Sequence, residues 1–134
     1  MSESEDVQRA SPAAPAASTE VRATDPETGG QKGVKIERFD LIPIEALEEV
    51  ARIYGYGAQK YAEDNWRRGY PWRWSIGALF RHAAKFAMGE ECDPESGYHH
   101  MAHAAFHCLT LFVFSRHRLG TDDRGRNAGK LPLE

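Results

Sequence analysis

No stretch of this chain alternates apolar and polar residues for long enough to suggest a sheet, and no segment repeats, so neither a β-sandwich or barrel nor a solenoid is expected. Cysteine is scarce. The two that occur, Cys92 and Cys108, form no C-x-x-C pair and follow no signal-peptide pattern; no disulfide framework is expected, and a reducing cytoplasm is the natural compartment. Long apolar runs are missing as well. The longest, Leu109 to Phe114, is interrupted by Thr110 and falls far short of the roughly 20 residues needed to cross a bilayer, so no membrane is expected. Nor is there a surplus of positive charge. The 17 Lys and Arg are interspersed with 20 Asp and Glu, a formal net charge of -3, which offers no basic field for gripping a nucleic-acid backbone. Large apolar side chains are almost absent from Met1 to Lys32. That segment of Ala, Pro, Ser, Thr, Glu and Gly cannot bury enough surface to offset the entropy of ordering, so residues 1–32 read as a disordered tail.

What remains can form one modest core, given 134 residues of which 41% are hydrophobic. Asp40 and Pro43 mark a helix start, an oxygen acceptor followed by a proline in the first turn. From Ile44 to about Tyr61, the residues Leu47, Val50, Ala51, Tyr54, Ala58 and Tyr61 form one apolar stripe. Gly55 and Gly57 weaken the middle of that helix and suggest close packing or a kink where something approaches the backbone. Ser75 offers a cap for a second helix that ends near Gly89 and buries Ile76, Leu79, His82, Ala83 and Phe86. A turn over Asp93 to Gly97 leads to a third helix from about His99 to Leu119, stopped by Gly120, with Met101, Ala105, Cys108, Leu109 and Phe112 as its core stripe. The fold class is all-α, with a helical domain over residues 33–119 and a polar tail over 120–134.

Three histidines, His100, His103 and His107, lie at three- and four-residue steps along the third helix, on the margin of its apolar stripe, and His82 sits in the apolar face of the second. A bundle gains nothing from burying several imidazoles without acidic or metal partners. The candidate ligands of a divalent cation are Glu45, Glu48 and Glu49, then His82, Glu90 and Asp93, then His100 and His103. Glu48 lies closer to the apolar margin than Glu49, which is expected to face water. His99 and His117 are expected to be exposed.

The ordered succession Arg38-Phe39-Asp40-Leu41-Ile42-Pro43, Ala46-Leu47-Glu48-Glu49-Val50-Ala51, Tyr56-Gly57-Ala58-Gln59-Lys60-Tyr61, Asn65-Trp66, Ala78-Leu79-Phe80-Arg81-His82 and Gly89-Glu90 through Asp93-Pro94-Glu95-Ser96-Gly97 to His100 and His103 resembles the dATP/dGTP diphosphohydrolase family of bacteriophages. That family is similar to the MazG-like nucleotide pyrophosphohydrolases, and the likeness spans roughly residues 33 to 118. It implies a small MazG-like helical bundle completed by oligomerisation into a homodimer or homotetramer. It also implies Mg2+ or Mn2+ dependence and cleavage of a purine (deoxy)nucleoside triphosphate to the monophosphate and pyrophosphate, in a host cytoplasm if the chain is phage-encoded. One departure stands out. MazG-like enzymes use two acidic pairs, E-x-x-E and E-x-x-D, and here only Glu45-x-x-Glu48 fits, while the later helix offers His100-x-x-His103; Glu90 and Asp93 would supply the missing carboxylates.

On this reading Glu48, His82 and His103 are catalytic, and Glu45, Glu48, Glu90, Asp93, His100 and His103 hold metal. The histidines are either ligands or relays of protons to the attacking water. Arg38, Lys60 and Arg81 suit phosphate oxygens, and Tyr61, Asn65 and Trp66 suit the nucleoside, an aromatic face for stacking and an amide for an edge. Two rivals compete: another helical metal-dependent phosphohydrolase, against which stands the absence of any His-Asp pair, and a non-catalytic interaction module.

Overall fold

A computed structural model describes residues 20–125, which divide into two compact units, one ending at Pro43 and one beginning at Ile44. The N-terminal unit holds β1 (Val21–Thr24) and β2 (Gln31–Val34), an antiparallel pair in which Val21 faces Val34 and Thr24 faces Gln31. Turn chemistry closes the pair. The Asp25 carboxylate accepts from the amides of Glu27 and Thr28, at 2.7 and 3.0 Å, and these amides hold its pKa below the usual carboxylate value. Gly29 takes φ +79°, a conformation that favours glycine. The tail expected over residues 1–32 is thus a hairpin from residue 21 onward, and residues 1–19 lie outside the described part. Almost every residue of the pair is exposed, so no apolar alternation announced it.

Asp40 does not cap a helix. It lies in a short 3-10 turn, Phe39–Leu41, and takes both forks of the Arg38 guanidinium at 2.9 and 2.7 Å.

The second unit contains α1 (Ile44–Lys60), α2 (Trp72–Ala87) and α3 (His100–His117), with α3 packed against both of the others. The fold is mostly helical with one small sheet rather than purely α. No helix among the described residues is long and apolar enough to cross a membrane.

Helix α2 begins three residues before the expected cap because residues 121–123 reach back to its first turn. Thr121 O accepts from Trp72 N at 2.9 Å, and the Asp123 carboxylate accepts from Arg73 N at 3.0 Å, which satisfies amides that helix starts leave open. Trp72 is buried, donates its indole N–H to Leu119 O at 2.7 Å, and lies beneath the guanidinium groups of Arg118 and Arg124. Gly69 and Gly120 cross back to back, both at positive φ, and a Cβ on either would run into the other strand of chain. Residues 120–125 are therefore a structural clasp rather than tail; 126–134 lie outside the described residues.

The buried face of α3 is not the stripe read from the sequence. Its buried residues are His100, Ala102, His103, Ala104, Thr110 and Phe114, whereas Cys108, Leu109 and Phe112 are exposed, Phe112 by 60%. The physical reason is that α3 is apolar nearly all round, so hydrophobicity alone does not choose a face. The polar row finds partners across the helix interface, and that selects it. On α1, likewise, Ile53 is the buried residue while Leu47 stays exposed, and on α2 the buried positions are Trp72, Ser75 and His82, with Ala83 and Phe86 exposed.

Phe114, fully buried, should lose about 3–5 kcal/mol of unfolding free energy on Phe114→Ala. Phe112→Ala should change it by no more than about 0.5 kcal/mol in dilute protein. Urea titration followed by helical circular dichroism measures both, and the opposite order would restore the sequence-read stripe.

Candidate metal and nucleotide site

Polar side chains from α2, α3 and the loop between them converge on the inner face of α3. His82 and His100 meet nitrogen to nitrogen, Nδ1 to Nδ1 at 2.9 Å, and His100 Nε2 lies 2.8 Å from Glu90 Oε1. The chain has a direction. Glu90 accepts only, so His100 Nε2 donates to it; a neutral His100 then accepts at Nδ1 from His82 Nδ1–H, and His82 is left with a bare lone pair on Nε2. A carboxylate that fixes the tautomer of an imidazole in this way is the usual support of a metal-binding histidine.

The loop completes the set. Gly97, at φ +82°, lets the chain fold back so that Gly97 N bonds Asp93 O, and the Asp93 carboxylate accepts from Glu95 N through Oδ1 at 3.0 Å. Asp93 Oδ2 then lies 3.7 Å from His103 Nε2, and the donor atoms of His82, Asp93 and His103 all fall within 4.8 Å of one another. Ser96 Oγ, which accepts from Tyr98 N, sits 2.7 Å from His103 Nε2. The His82 and His103 rings stack at 4.5 Å with planes 4° apart. Burial pushes His82 down to about 4 and lowers His103 as well, the latter against the pull of Asp93. Two neutral imidazoles and one carboxylate fit a divalent cation, and their nitrogen donors suit a transition ion better than Mg2+, which prefers oxygen.

The cluster opens into a cavity of 720 Å³, within the roughly 300–1,000 Å³ usual for small-molecule sites. Arg81, Lys60 and Glu95 join the cluster at the polar side, while Tyr54, Trp66, Tyr70, Trp74 and Phe106 supply an aromatic wall. Gly55 and Gly57 also line it, and a Cβ at either would meet only open space, so α1 runs unbroken through both and the cavity is what approaches its backbone.

The expected site residues therefore divide. His82, Asp93 and His103 come together, and Lys60, Tyr61, Asn65, Trp66 and Arg81 line the same cavity. Glu90 and His100 stand behind His82 rather than on the cavity wall. Glu45 and Glu48 are exposed and do not line the cavity; their order of burial with Glu49 is the reverse of that expected. Glu49 turns inward, accepts from His99 N at 3.0 Å and from Arg52 at 2.9 Å, and the His99 amide holds its carboxyl below the usual range. His99, expected to be exposed, is half-buried and caps α3 by accepting from Met101 N. Arg38 belongs to the N-terminal unit, bound to Asp40. Sequence reasoning missed the part played by Tyr70 and Ser75. Tyr70 Oη lies 2.6 Å from Ser75 Oγ, which lies 2.9 Å from His107 Nδ1. The available signal was the seven-residue step from Ser75 to His82, which puts both on one face of α2.

These depressed histidines carry an acid signature. His82 and His107 titrate near 4 in the folded chain against 6.5 when unfolded, both mainly through burial, so the unfolded state binds more protons between those values. Stability of the metal-free protein should be full above pH about 6.5 and decline as pH falls toward 4. Denaturation midpoints across pH 4–8 check this, and His82→Phe should flatten the profile.

Comparison with known proteins identifies a family. Residues 26–124, which include every residue of the cluster and of the cavity wall, match the family described as dATP/dGTP diphosphohydrolase, N-terminal. A dATP/dGTP diphosphohydrolase of Salmonella phage PMBT28 is 34% identical over 96 residues, covering 69% of this chain and 33% of that protein. The chain thus matches about a third of the length of that relative. No solved structure gives a significant match. On the extent of the family match, the chain belongs to the dATP/dGTP diphosphohydrolase N-terminal domain family.

Proposed function

We propose that this chain hydrolyses purine deoxynucleoside triphosphates to the monophosphate and pyrophosphate with the help of a divalent cation held by His82, Asp93 and His103. One observation carries the reading: a single cavity joins that donor cluster to an aromatic wall, with Arg81 and Lys60 beside the cluster. The name of the phage relative supports the substrate class. In the reaction, water attacks the α-phosphorus, the bond to the bridging oxygen breaks, pyrophosphate departs and one proton is released.

When bound, the cation supplies positive charge against the polyphosphate and acidifies water. The chain's own groups do the rest. Arg81 has no ion-pair partner among the described residues, so its guanidinium is available to phosphate oxygens. Lys60, 3.6 Å from Glu95, adds a second cation at the same end. Tyr54, Trp66 and Trp74 line the part of the cavity that would take the nucleoside, as the sequence suggested for Trp66 and Tyr61. Geometry favours ligand roles for His82 and His103, and a positioning role for His100 and Glu90, which hold His82 in its lone-pair-inward tautomer. Of the two metals the resemblance implies, the imidazole donors favour Mn2+ over Mg2+.

The exposed faces support assembly with further copies. Phe80, Met88, Leu109 and Phe112 leave apolar surface open on α2 and α3, and a homodimer or homotetramer would cover it.

Incubation of the protein with each deoxynucleoside triphosphate and Mn2+ or Mg2+, followed by separation of products, should give monophosphate and pyrophosphate from dATP and dGTP, faster with Mn2+. Asp93→Asn should lower turnover by at least about 100-fold with the helical circular dichroism intact. Release of nucleoside and triphosphate would favour the other phosphohydrolase class, and an active Asp93→Asn would remove the cluster from the mechanism.

A further inference from the structure

His107 is the imidazole that the metal cluster leaves unused. It stands on the cavity wall one helical turn past His103, about 5.4 Å along the axis, on the aromatic side. Its ring meets Phe106 edge to face at 5.1 Å, Phe106 meets Tyr54 at 4.8 Å, and Tyr54 meets Trp66 at 6.2 Å. Nδ1 is taken by Ser75 Oγ, which is fully buried, and Nε2 has no partner among the described residues.

The hydrogen-bond chain behind it sets which nitrogen carries the proton. Ser75 has a single hydroxyl proton and sits between Tyr70 Oη and His107 Nδ1. If Ser75 donated to Tyr70, the half-buried phenol proton would have no acceptor among the described residues. With Tyr70 donating to Ser75 and Ser75 donating to His107 Nδ1, the phenol, the hydroxyl and Nδ1 are all paired, and Nε2–H is the donor of this chain left for a ligand. The proton of the neutral ring is then on Nε2, so that His107, which lines the cavity next to Phe106, offers a fixed donor there.

We infer that His107 reads the purine base, its Nε2–H donating to ring nitrogen N7, with Ser75 and Tyr70 as positioning residues that fix the tautomer. This rests on the nucleotide-hydrolysing reading given above. The choice of N7 follows from base chemistry. At the neighbouring position adenine offers a donor and guanine an acceptor, so one fixed donor there would separate them, whereas N7 is an acceptor in both. Pyrimidines have no ring nitrogen at that place. A single donor on N7 would thus accept both purines and disfavour both pyrimidines.

Two measurements test the inference. In the wild-type protein, 15N-detected histidine correlation spectra should report His107 as the Nε2–H tautomer, and Ser75→Ala should shift its signals toward a tautomer mixture. In steady-state hydrolysis, 7-deaza-dATP should show a KM about tenfold above that of dATP with kcat little changed, the size of one lost hydrogen bond. In His107→Phe that ratio should fall to about one, and in Ser75→Ala it should shrink. An Nδ1–H tautomer in the wild type, or a 7-deaza ratio equal in wild type and His107→Phe, would overturn the role of His107. The wild-type spectrum fixes the tautomer even if the variants do not fold. Hydrolysis of no nucleotide at all would remove the functional reading itself, a result distinct from hydrolysis with an unaltered 7-deaza ratio.

Discussion

The structure depends on keeping four imidazoles inside a small helical unit with at least one nitrogen of each ring partnered. Burying a polar ring costs free energy unless each donor or acceptor finds a partner. For the imidazoles of α3 the partners come from outside it, His100 being held by Glu90, His103 by Ser96 and His107 by Ser75, while His82 on α2 is held by His100. Those pairings decide which face of α3 turns inward, and so which residues meet α2. They also bring the donor atoms of His82, Asp93 and His103 within 4.8 Å of one another. Packing and site are therefore one arrangement, since the polar row that fixes the helix register is the row that can hold a cation.

Elements remote from the cluster serve to hold α2 where this register requires it. The returning chain at Thr121 and Asp123 caps the first turn of α2, and the buried Trp72 ties that turn to Leu119 at the end of α3. With that end of the pair tied, the step from Ser75 to His82 along α2 faces the step from His100 to His107 along α3. The cost of turning the polar row inward is an apolar row turned outward, at Leu109 and Phe112. That row is the surface which the assembly proposed above would cover.

Much of this was legible in the sequence, for physical reasons that differ by element. The helices were readable from their apolar periodicity and from breakers that are local: Gly120 and the Asp93–Gly97 turn act within a few residues of where they stand. The convergence of His82, Asp93 and His103 was readable because imidazoles on apolar faces require partners. What failed was every judgement that depended on a distant segment. Ser75 looked like a cap because the real cap, Asp123, is 50 residues away. Glu48 looked better placed than Glu49 because the amide that draws Glu49 inward belongs to His99. The stripe through Leu109 and Phe112 looked like core because hydrophobicity cannot choose a face on a helix that is apolar all round. The hairpin of β1 and β2 escaped because turn chemistry at Asp25 and Gly29 closes it, with little apolar burial to mark its strands.

The chain differs from the acidic-pair pattern of the enzymes it resembles, and the difference has a chemical meaning. Carboxylate pairs suit a hard, oxygen-loving ion, whereas two neutral imidazoles with one carboxylate bias the same pocket toward a transition ion. The most direct test of a cation at the histidine cluster is anomalous X-ray scattering from crystals grown with Mn2+, recorded at the manganese edge. A peak bounded by His82, Asp93 and His103 is expected. A peak held instead by Glu45 and Glu48, with none at the histidine cluster, would contradict that assignment.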